Sequence, residues 1–261
     1  MIGIQNIPLY GPVIFTGNHA NQFIDSVVML STCQRTISYL IAEKSWNRKI
    51  IGDIAWAMGA VPVKRAIDTA SKPGRGTIMI KELNAEDSNL FEVTGSDTKF
   101  LADLGVGDKI KVHGSSILLK VINVLSDTSM SVSKGQEKFD EGPFSYSIME
   151  KIDHTIMYKK VLSKLTSRGA IGIFPEGGSH DRTDLLPLKA GVSLIAYAAL
   201  DQEEINVPIV PVGMNYFKGH RFRGRVIVEF GRPIYIDPLT MEQYKQGGIA
   251  RRQVCTDFLE R

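Results

Sequence analysis

The chain has 261 residues, 43% of them apolar and 23% charged, with 31 Lys and Arg against 28 Asp and Glu. That balance excludes disorder, collagen and a small stapled scaffold, and at about 150 residues per domain the length fits one large domain or one and a half. A net charge of +3 gives no reason to expect a nucleic-acid partner.

Residues 13–16, Val-Ile-Phe-Thr, read as a buried strand, and 25–33 as the start of a helix. Residues 37–42 are strand-like, Trp46, Ile50, Ile54 and Met58 fall at helical spacing, and 61–63 form a short extended run. This alternation predicts an α/β fold with an open, mostly parallel sheet flanked by helices. From Gly74 to Phe144 the texture changes to short β-rich runs at 77–80, 90–93, 109–112, 117–124 and 129–132, separated by Gly, Asp, Asn and Ser clusters. They predict a small all-β insertion at 74–150 between two parts of the α/β domain at 1–73 and 151–261; the plainer alternative is a set of hairpins extending the first sheet. The alternation resumes with a helix over 153–168, closed by Gly169 at the favoured C-cap position. A strand at 170–174, an apolar helix at 190–200 and strands at 207–212 and 225–230 complete the reading.

Cys33 and Cys255 are far apart and have no Cys or His partner at zinc-ligand spacing, so neither a disulfide framework nor a structural metal site is expected, and a reducing compartment is. No stretch reaches the roughly 18 uncharged apolar residues that span a bilayer, the longest being Gly191 to Leu200, and the N-terminus lacks a signal-peptide layout. The chain is expected not to cross a membrane, which leaves it free to lie on one.

Three segments carry candidate chemistry. His19 follows the first strand through Gly17-Asn18, and Asp25 lies six residues on. Within one helix that step turns about 600° and leaves the side chains about 120° apart, so they meet only if His19 sits in the loop and Asp25 in the helix beyond. A carboxylate on one imidazole nitrogen fixes the tautomer and leaves the other nitrogen to take a proton; the plainer reading is two ordinary loop polars. Second, Phe174-Pro175-Glu176-Gly177-Gly178-Ser179-His180-Asp181-Arg182 directly follows a strand, where loops form the binding edge of an open α/β sheet. Arg182 and Lys189 suit a phosphate or carboxylate, unless Arg182 merely pairs with a neighbouring acid on a solvated turn. Third, Gly59-Ala60-Val61-Pro62-Val63-Lys64-Arg65 ends in two cations that point to opposite faces if the strand continues, Arg65 having the better fork for phosphate.

With Val207-Pro208-Ile209-Val210-Pro211-Val212-Gly213, these segments resemble, in order, the four blocks of the glycerolipid acyltransferase family. Five residues, Ala20 to Ile24, separate His19 from Asp25 where the family usually has four. That spacing, the Gly-Gly-Ser-His-Asp-Arg ending of the third block and the β-rich insertion are similar to the fungal-type branch acting on glycerol 3-phosphate and dihydroxyacetone phosphate. The resemblance implies acyl transfer from a thioester, acyl-CoA, to the sn-1 hydroxyl of glycerol 3-phosphate or dihydroxyacetone phosphate, with no metal or other cofactor. In it His19 is the general base, Asp25 orients the ring, and Arg182 and Arg65 hold the phosphate with Lys64 and Lys189 as secondary ligands. Glu176 binds substrate hydroxyls or shapes the loop, and the N–H groups of Gly177 and Gly178 are candidate oxyanion donors. Members of that branch are integral to the endoplasmic reticulum membrane. The expected place is therefore its cytosolic face, and a chain beginning 18 residues before His19 reads as a trimmed fragment or a short peripheral form.

Four alternatives stand beside this reading: a lysophosphatidic acid acyltransferase; a metal-dependent phosphohydrolase using His154, His180-Asp181 and Asp201; a serine hydrolase at Gly178-Ser179-His180; and a lipid-binding module without activity. The run Lys218, His220, Arg221, Arg223 and Arg225, interleaved with Phe217 and Phe222, suits anionic headgroups or the phosphates of CoA, or is the charged outer face of a hairpin.

Overall fold

The computed structural model describes residues 1–65, 71–82, 90–114, 118–133, 142–180, 182, 184–217 and 224–259. These form two units, Met1–Val63 with His154–Arg261, and Lys64–Asp153. The first unit begins β1 (Val13–Gly17), α1 (Gln22–Thr32), β2 (Ile37–Ala42), α2 (Glu43–Trp46), α3 (Ile51–Ala57) and β3 (Val61–Val63). The second unit follows as β4 (Lys72–Pro73), β5 (Thr77–Glu82), β6 (Leu90–Ser96), α4 (Phe100–Asp103), β7 (Lys109–Val112), β8 (Leu118–Val124), β9 (Ser129–Ser133) and β10 (Tyr146–Met149). The first unit then resumes with α5 (Thr155–Thr166), β11 (Ala170–Ile173), α6 (Gly191–Glu203), β12 (Ile209–Tyr216), β13 (Val226–Phe230), α7 (Met241–Gln246) and α8 (Gly248–Leu259).

The first unit's sheet has the order β13-β12-β1-β11-β2-β3, and only the β12–β13 pair is antiparallel. Its central strands are apolar on both faces because both are covered. Ile14, Ile171 and Ile209 point to a core shared with α5, α6 and α8, whereas Val13, Phe15, Ala170, Val210 and Val212 point to the opposite core, which Met29 of α1 completes. The uncharged run at 191–200 is explained by this packing: α6 is buried almost all round, from Val192 to Ala199, and is too short to span a bilayer. Because β1, β11 and β12 are parallel, their C-terminal ends gather along one edge. β12 continues past Val212, the partner of Gly17, to Tyr216, so it overhangs the end of β1.

The second unit is an antiparallel sheet in the order β4-β10-β7-β8-β9-β6-β5. Ile78 of β5 and Phe144, just ahead of β10, exchange two backbone hydrogen bonds of 2.9 Å, closing β5 back toward β10 as in a small barrel. Alternate residues fill its interior, including Ile78, Val93, Ile110, Leu119, Met130 and Tyr146, with Phe100 of α4 among them. The strands thus form their own sheet rather than hairpins on the first one. This unit also takes in β4, ahead of residue 74, and includes one short helix.

Four local expectations are corrected. The first helix starts at Gln22, so Asp25 lies within it rather than opening it. The periodic stretch 46–58 is two helices, broken at Ile50, whose φ of 70° no continuing helix allows. Gly52 explains the tight fold-back: a β-carbon there would lie 2.0 Å from the carbonyl oxygen of Trp46. After α5 the left-handed position is taken by Arg168 (φ 62°), not Gly169, which is small instead because the Lys164 carbonyl oxygen would sit 2.7 Å from its β-carbon. Finally, β3 ends at Val63, so Lys64 and Arg65 are not strand residues with opposed side chains.

Candidate active site

β1 delivers the chain into a four-residue loop, Asn18 to Asn21, before α1 begins. Both ends of the Asn18 amide are bonded to Met214 of β12: Nδ2 donates to its carbonyl at 2.9 Å and Oδ1 accepts its N–H at 2.7 Å. The loop is thereby clamped to the neighbouring strand, and His19 is presented at the sheet edge.

Asp25, in the first turn of α1, faces back to the loop and is wholly buried. Its Oδ2 accepts from Nδ1 of His19 at 2.9 Å and from the N–H of Asn21 at 2.8 Å, and its Oδ1 accepts the hydroxyl of Tyr216 at 2.6 Å. The five-residue spacer does not keep the pair apart, since the turn at Ala20 and Asn21 takes up its length before the helix starts. With Nδ1–H donated to the carboxylate, Nε2 of His19 carries the lone pair, and among the described residues it has no hydrogen-bond partner. The His19 side chain is 18% exposed.

The flat face of the ring rests on Phe174, with centroids 4.3 Å apart and planes 10° from parallel, and Phe174 in turn lies parallel to Tyr39 of β2 at 5.9 Å. Gly172 makes room for this column, because a β-carbon there would meet the Tyr39 ring at 2.4 Å. Burial, with Cys33 and Asp25 nearby, raises the Tyr39 pKa and keeps its phenol neutral.

The loop after β11 holds His19 by its backbone. Glu176, 4% exposed, accepts the His19 N–H on Oε1 at 2.8 Å. Its Oε2 accepts the Leu186 N–H at 2.9 Å and pairs with Nε2 of His180, while the His180 N–H donates to the His19 carbonyl at 3.1 Å. Burial alone would raise the Glu176 pKa, but the bonds from His180, Leu186 and His19 outweigh it and leave the carboxyl below its ordinary range. Its carboxylate thus ties the loop after β11 to the loop that carries His19. Gly177 (φ 72°) gives its N–H to the Phe174 carbonyl at 3.1 Å, which removes it as an oxyanion donor. The Lys189 side chain lies across Gly177, its Nζ 2.1 Å from where a β-carbon would be, while Gly178 has open space at the same position. Arg182 and Lys189 are both exposed, near the loop's His180 and Pro175: the Arg182 N–H donates to Nδ1 of His180 at 3.2 Å and the Lys189 N–H to the Pro175 carbonyl at 2.9 Å.

Lys64 and Arg65 open the second unit, and Arg225 precedes β13. Asp181, Lys218, His220, Arg221, Phe222 and Arg223 lie outside the described residues. The His154, His180, Asp201 series does not converge: Asp201 faces Lys245 at 3.3 Å, His180 is committed to Glu176, and among the described residues no three His, Cys, Asp or Glu side chains gather as metal ligands. Both ring nitrogens of His180 are engaged, so it is not set to activate the exposed Ser179. Cys33 and Cys255 are buried, unpaired thiols.

The sequence reading missed Tyr216, the Asn18 clamp and Tyr39. Asn18 and Phe174 lay inside segments already singled out, but no local pattern marks Tyr216, which meets Asp25 from 191 residues away.

Comparison with known proteins bears on the same segments. Residues 1–90 and 144–215 match the family model Acyltransferase, passing over most of the second unit. Glycerol-3-phosphate O-acyltransferase 1 of Saccharomyces cerevisiae is 39% identical over 256 residues, and glycerol-3-phosphate O-acyltransferase 2 of the same yeast is 31% identical over 274. An uncharacterized acyltransferase of Schizosaccharomyces pombe is 36% identical over 257 residues. Each alignment covers 93% of this chain but only 33% to 37% of the relative, so the chain spans about a third of the length of these proteins.

Proposed function

The chain belongs to the acyltransferase family, and from that premise we propose that it moves a fatty acyl group from acyl-CoA to the sn-1 hydroxyl of glycerol 3-phosphate or dihydroxyacetone phosphate. The names of the two yeast relatives support the acceptor class. The observation that carries the chemistry is the His19–Asp25 pair: a buried carboxylate on Nδ1 and an Nε2 free to accept a proton.

In the proposed reaction Nε2 of His19 takes the hydroxyl proton as the oxygen attacks the thioester carbonyl, and Asp25 stabilises the imidazolium that forms. The tetrahedral intermediate collapses by breaking the C–S bond, and the same proton passes from His19 to the departing thiolate. An ester and free CoA result, with no acyl-enzyme. Arg182 and Lys189 bind the acceptor's phosphate, supported by their shared attachment to the loop that holds His19. Lys64 and Arg65 are proposed as further phosphate ligands from the family pattern alone. Gly178 is the remaining glycine candidate for the oxyanion.

We further infer that the second unit is a domain inserted into the acyltransferase fold, because the family model matches on either side of it and passes over 91–143. No described helix is long and apolar enough to cross a membrane. Association with the cytosolic face of the endoplasmic reticulum is proposed from the family resemblance.

Thiol release from a panel of acyl-CoAs, offered glycerol 3-phosphate, dihydroxyacetone phosphate or lysophosphatidic acid, tests the reading. Turnover with either of the first two supports it; turnover with lysophosphatidic acid alone moves the chain to the lysophosphatidic acid acyltransferases, and none with any acceptor removes the activity.

A further inference from the structure

Asp25 is buried with no exposed surface, yet its carboxylate collects three hydrogen bonds, two from the loop before α1 and one from β12. Two converge on Oδ2, from His19 and Asn21. The third comes from Tyr216, at the overhanging end of β12, and among the described residues is the one bond on Oδ1. At 2.6 Å from a phenol to a carboxylate it is in the range of charge-assisted O–H···O bonds.

We propose that Tyr216 is a positioning residue for the acyl transfer, acting on His19 through Asp25. The inference rests on His19 being the base. A carboxylate with a donor on Oδ1 has part of its charge drawn to that oxygen, so its Oδ2 pulls less strongly on the imidazole proton. Without the phenol, the charge facing Nδ1 grows, imidazolium is favoured, and His19 becomes a base that is already protonated at a higher pH. The phenol also sets the plane of the carboxylate, and so the direction in which the ring is held.

Two pairings of β12 fix this placement. Tyr216 is fixed by its pairing with Val226 of β13, and two residues earlier on the same strand Met214 clamps Asn18. One strand therefore locates both the loop that carries the base and the donor that tunes its partner. Burial, and then the hydrogen bond and charge of Asp25, raise the Tyr216 pKa, so the hydroxyl keeps its proton and stays a donor. The other ionisable groups facing this cluster are Tyr39 on β2, beyond Phe174, and Glu176 with His180 in the loop after β11. None of them bonds to Tyr216 in the described structure.

The test uses the full chain and two isosteric changes of opposite sign. Tyr216→Phe removes the donor; 3-fluorotyrosine at position 216 strengthens it. The Phe variant is expected to lower kcat about tenfold with the acceptor KM within about twofold, and to move the acid limb of kcat/KM up by about half a pH unit. Fluorotyrosine is expected to move that limb down, and keeps the proposal testable should the Phe variant fold poorly. A residue of purely structural value would change the melting temperature and leave the limb where it is. An unmoved limb, or both variants moving it the same way, overturns the proposal. If the wild type turns over, His19→Ala does not, and both Tyr216 variants match the wild type, only this inference falls; an active His19→Ala removes the base reading itself.

Discussion

Glu176 accepts the backbone N–H of His19 at 2.8 Å across 157 residues of sequence. Asp25 aims the ring and Glu176 fixes the chain that carries it, with His180 bonded to both Glu176 and the His19 carbonyl. Glu176→Gln puts an amide NH2 among groups that are themselves donors, leaving at least one buried donor unmatched. A loss of about 2 kcal/mol is expected, a fall in Tm of several degrees, with a lower kcat. Calorimetry and the thiol-release assay check this; an unchanged Tm would mean the bonds are not felt.

The same carboxyl makes stability depend on pH. Its folded pKa lies below the ordinary value of 4.5, so its contribution is fully present above that value and is lost as pH falls through the folded pKa. Denaturant unfolding between pH 7 and pH 3 should therefore show the gap between wild type and Glu176→Gln narrowing on acidification. A gap that stays constant to the lowest pH would contradict the sign.

Asp25→Asn keeps the volume of the side chain and removes its charge. The ring then loses the partner that fixes its tautomer, and kcat is expected to fall by about 10²–10⁴ with the acceptor KM little changed. Steady-state kinetics with varied glycerol 3-phosphate separates the two parameters.

Gly172→Ala tests the aromatic column from the far side. The new methyl would sit 2.4 Å from the Tyr39 ring, which must move, and Phe174 and His19 stack on it in turn. A cost of about 1–3 kcal/mol is expected, with kcat reduced although no group touching the acceptor has changed. Wild-type stability would show that the strand relaxes without disturbing the column.

Much of the sheet is readable because its strands are short apolar runs with helices between them, and a His19–Asp25 contact is possible in the sequence once His19 is placed in a loop and Asp25 in the helix beyond it. How the extra spacer residue is accommodated cannot be read from spacing, because the length of the loop before α1 is not encoded there. The break at Ile50 was hidden by a stripe of apolar residues at helical intervals; Ile50 itself is 72% exposed, so the stripe does not mark one buried face. α8 escaped notice because Val254, Cys255 and Phe258 are its only buried residues, too few to give a period. β10 is four residues whose apolar character makes sense only inside the barrel. Tyr216 was beyond reach for a different reason: it lies four residues past the strand read at 207–212, on the overhang of β12, and its partner is fixed by the parallel neighbours β1 and β12, a pairing that no local pattern encodes.

Arg182→Ala is expected to raise the KM for glycerol 3-phosphate by about 10–100-fold and to leave kcat at saturation nearly intact, since it removes binding rather than proton transfer. Glycerol, which lacks the phosphate, should be used equally poorly by both proteins. A loss confined to kcat would take Arg182 out of the phosphate site.

The most direct test of the account is acyl transfer by His19→Ala, with glycerol 3-phosphate binding followed by calorimetry in the same preparation. The account predicts that product formation is abolished while the acceptor still binds with nearly wild-type affinity. Turnover close to that of the wild type would contradict it and end the assignment of Nε2 as the base.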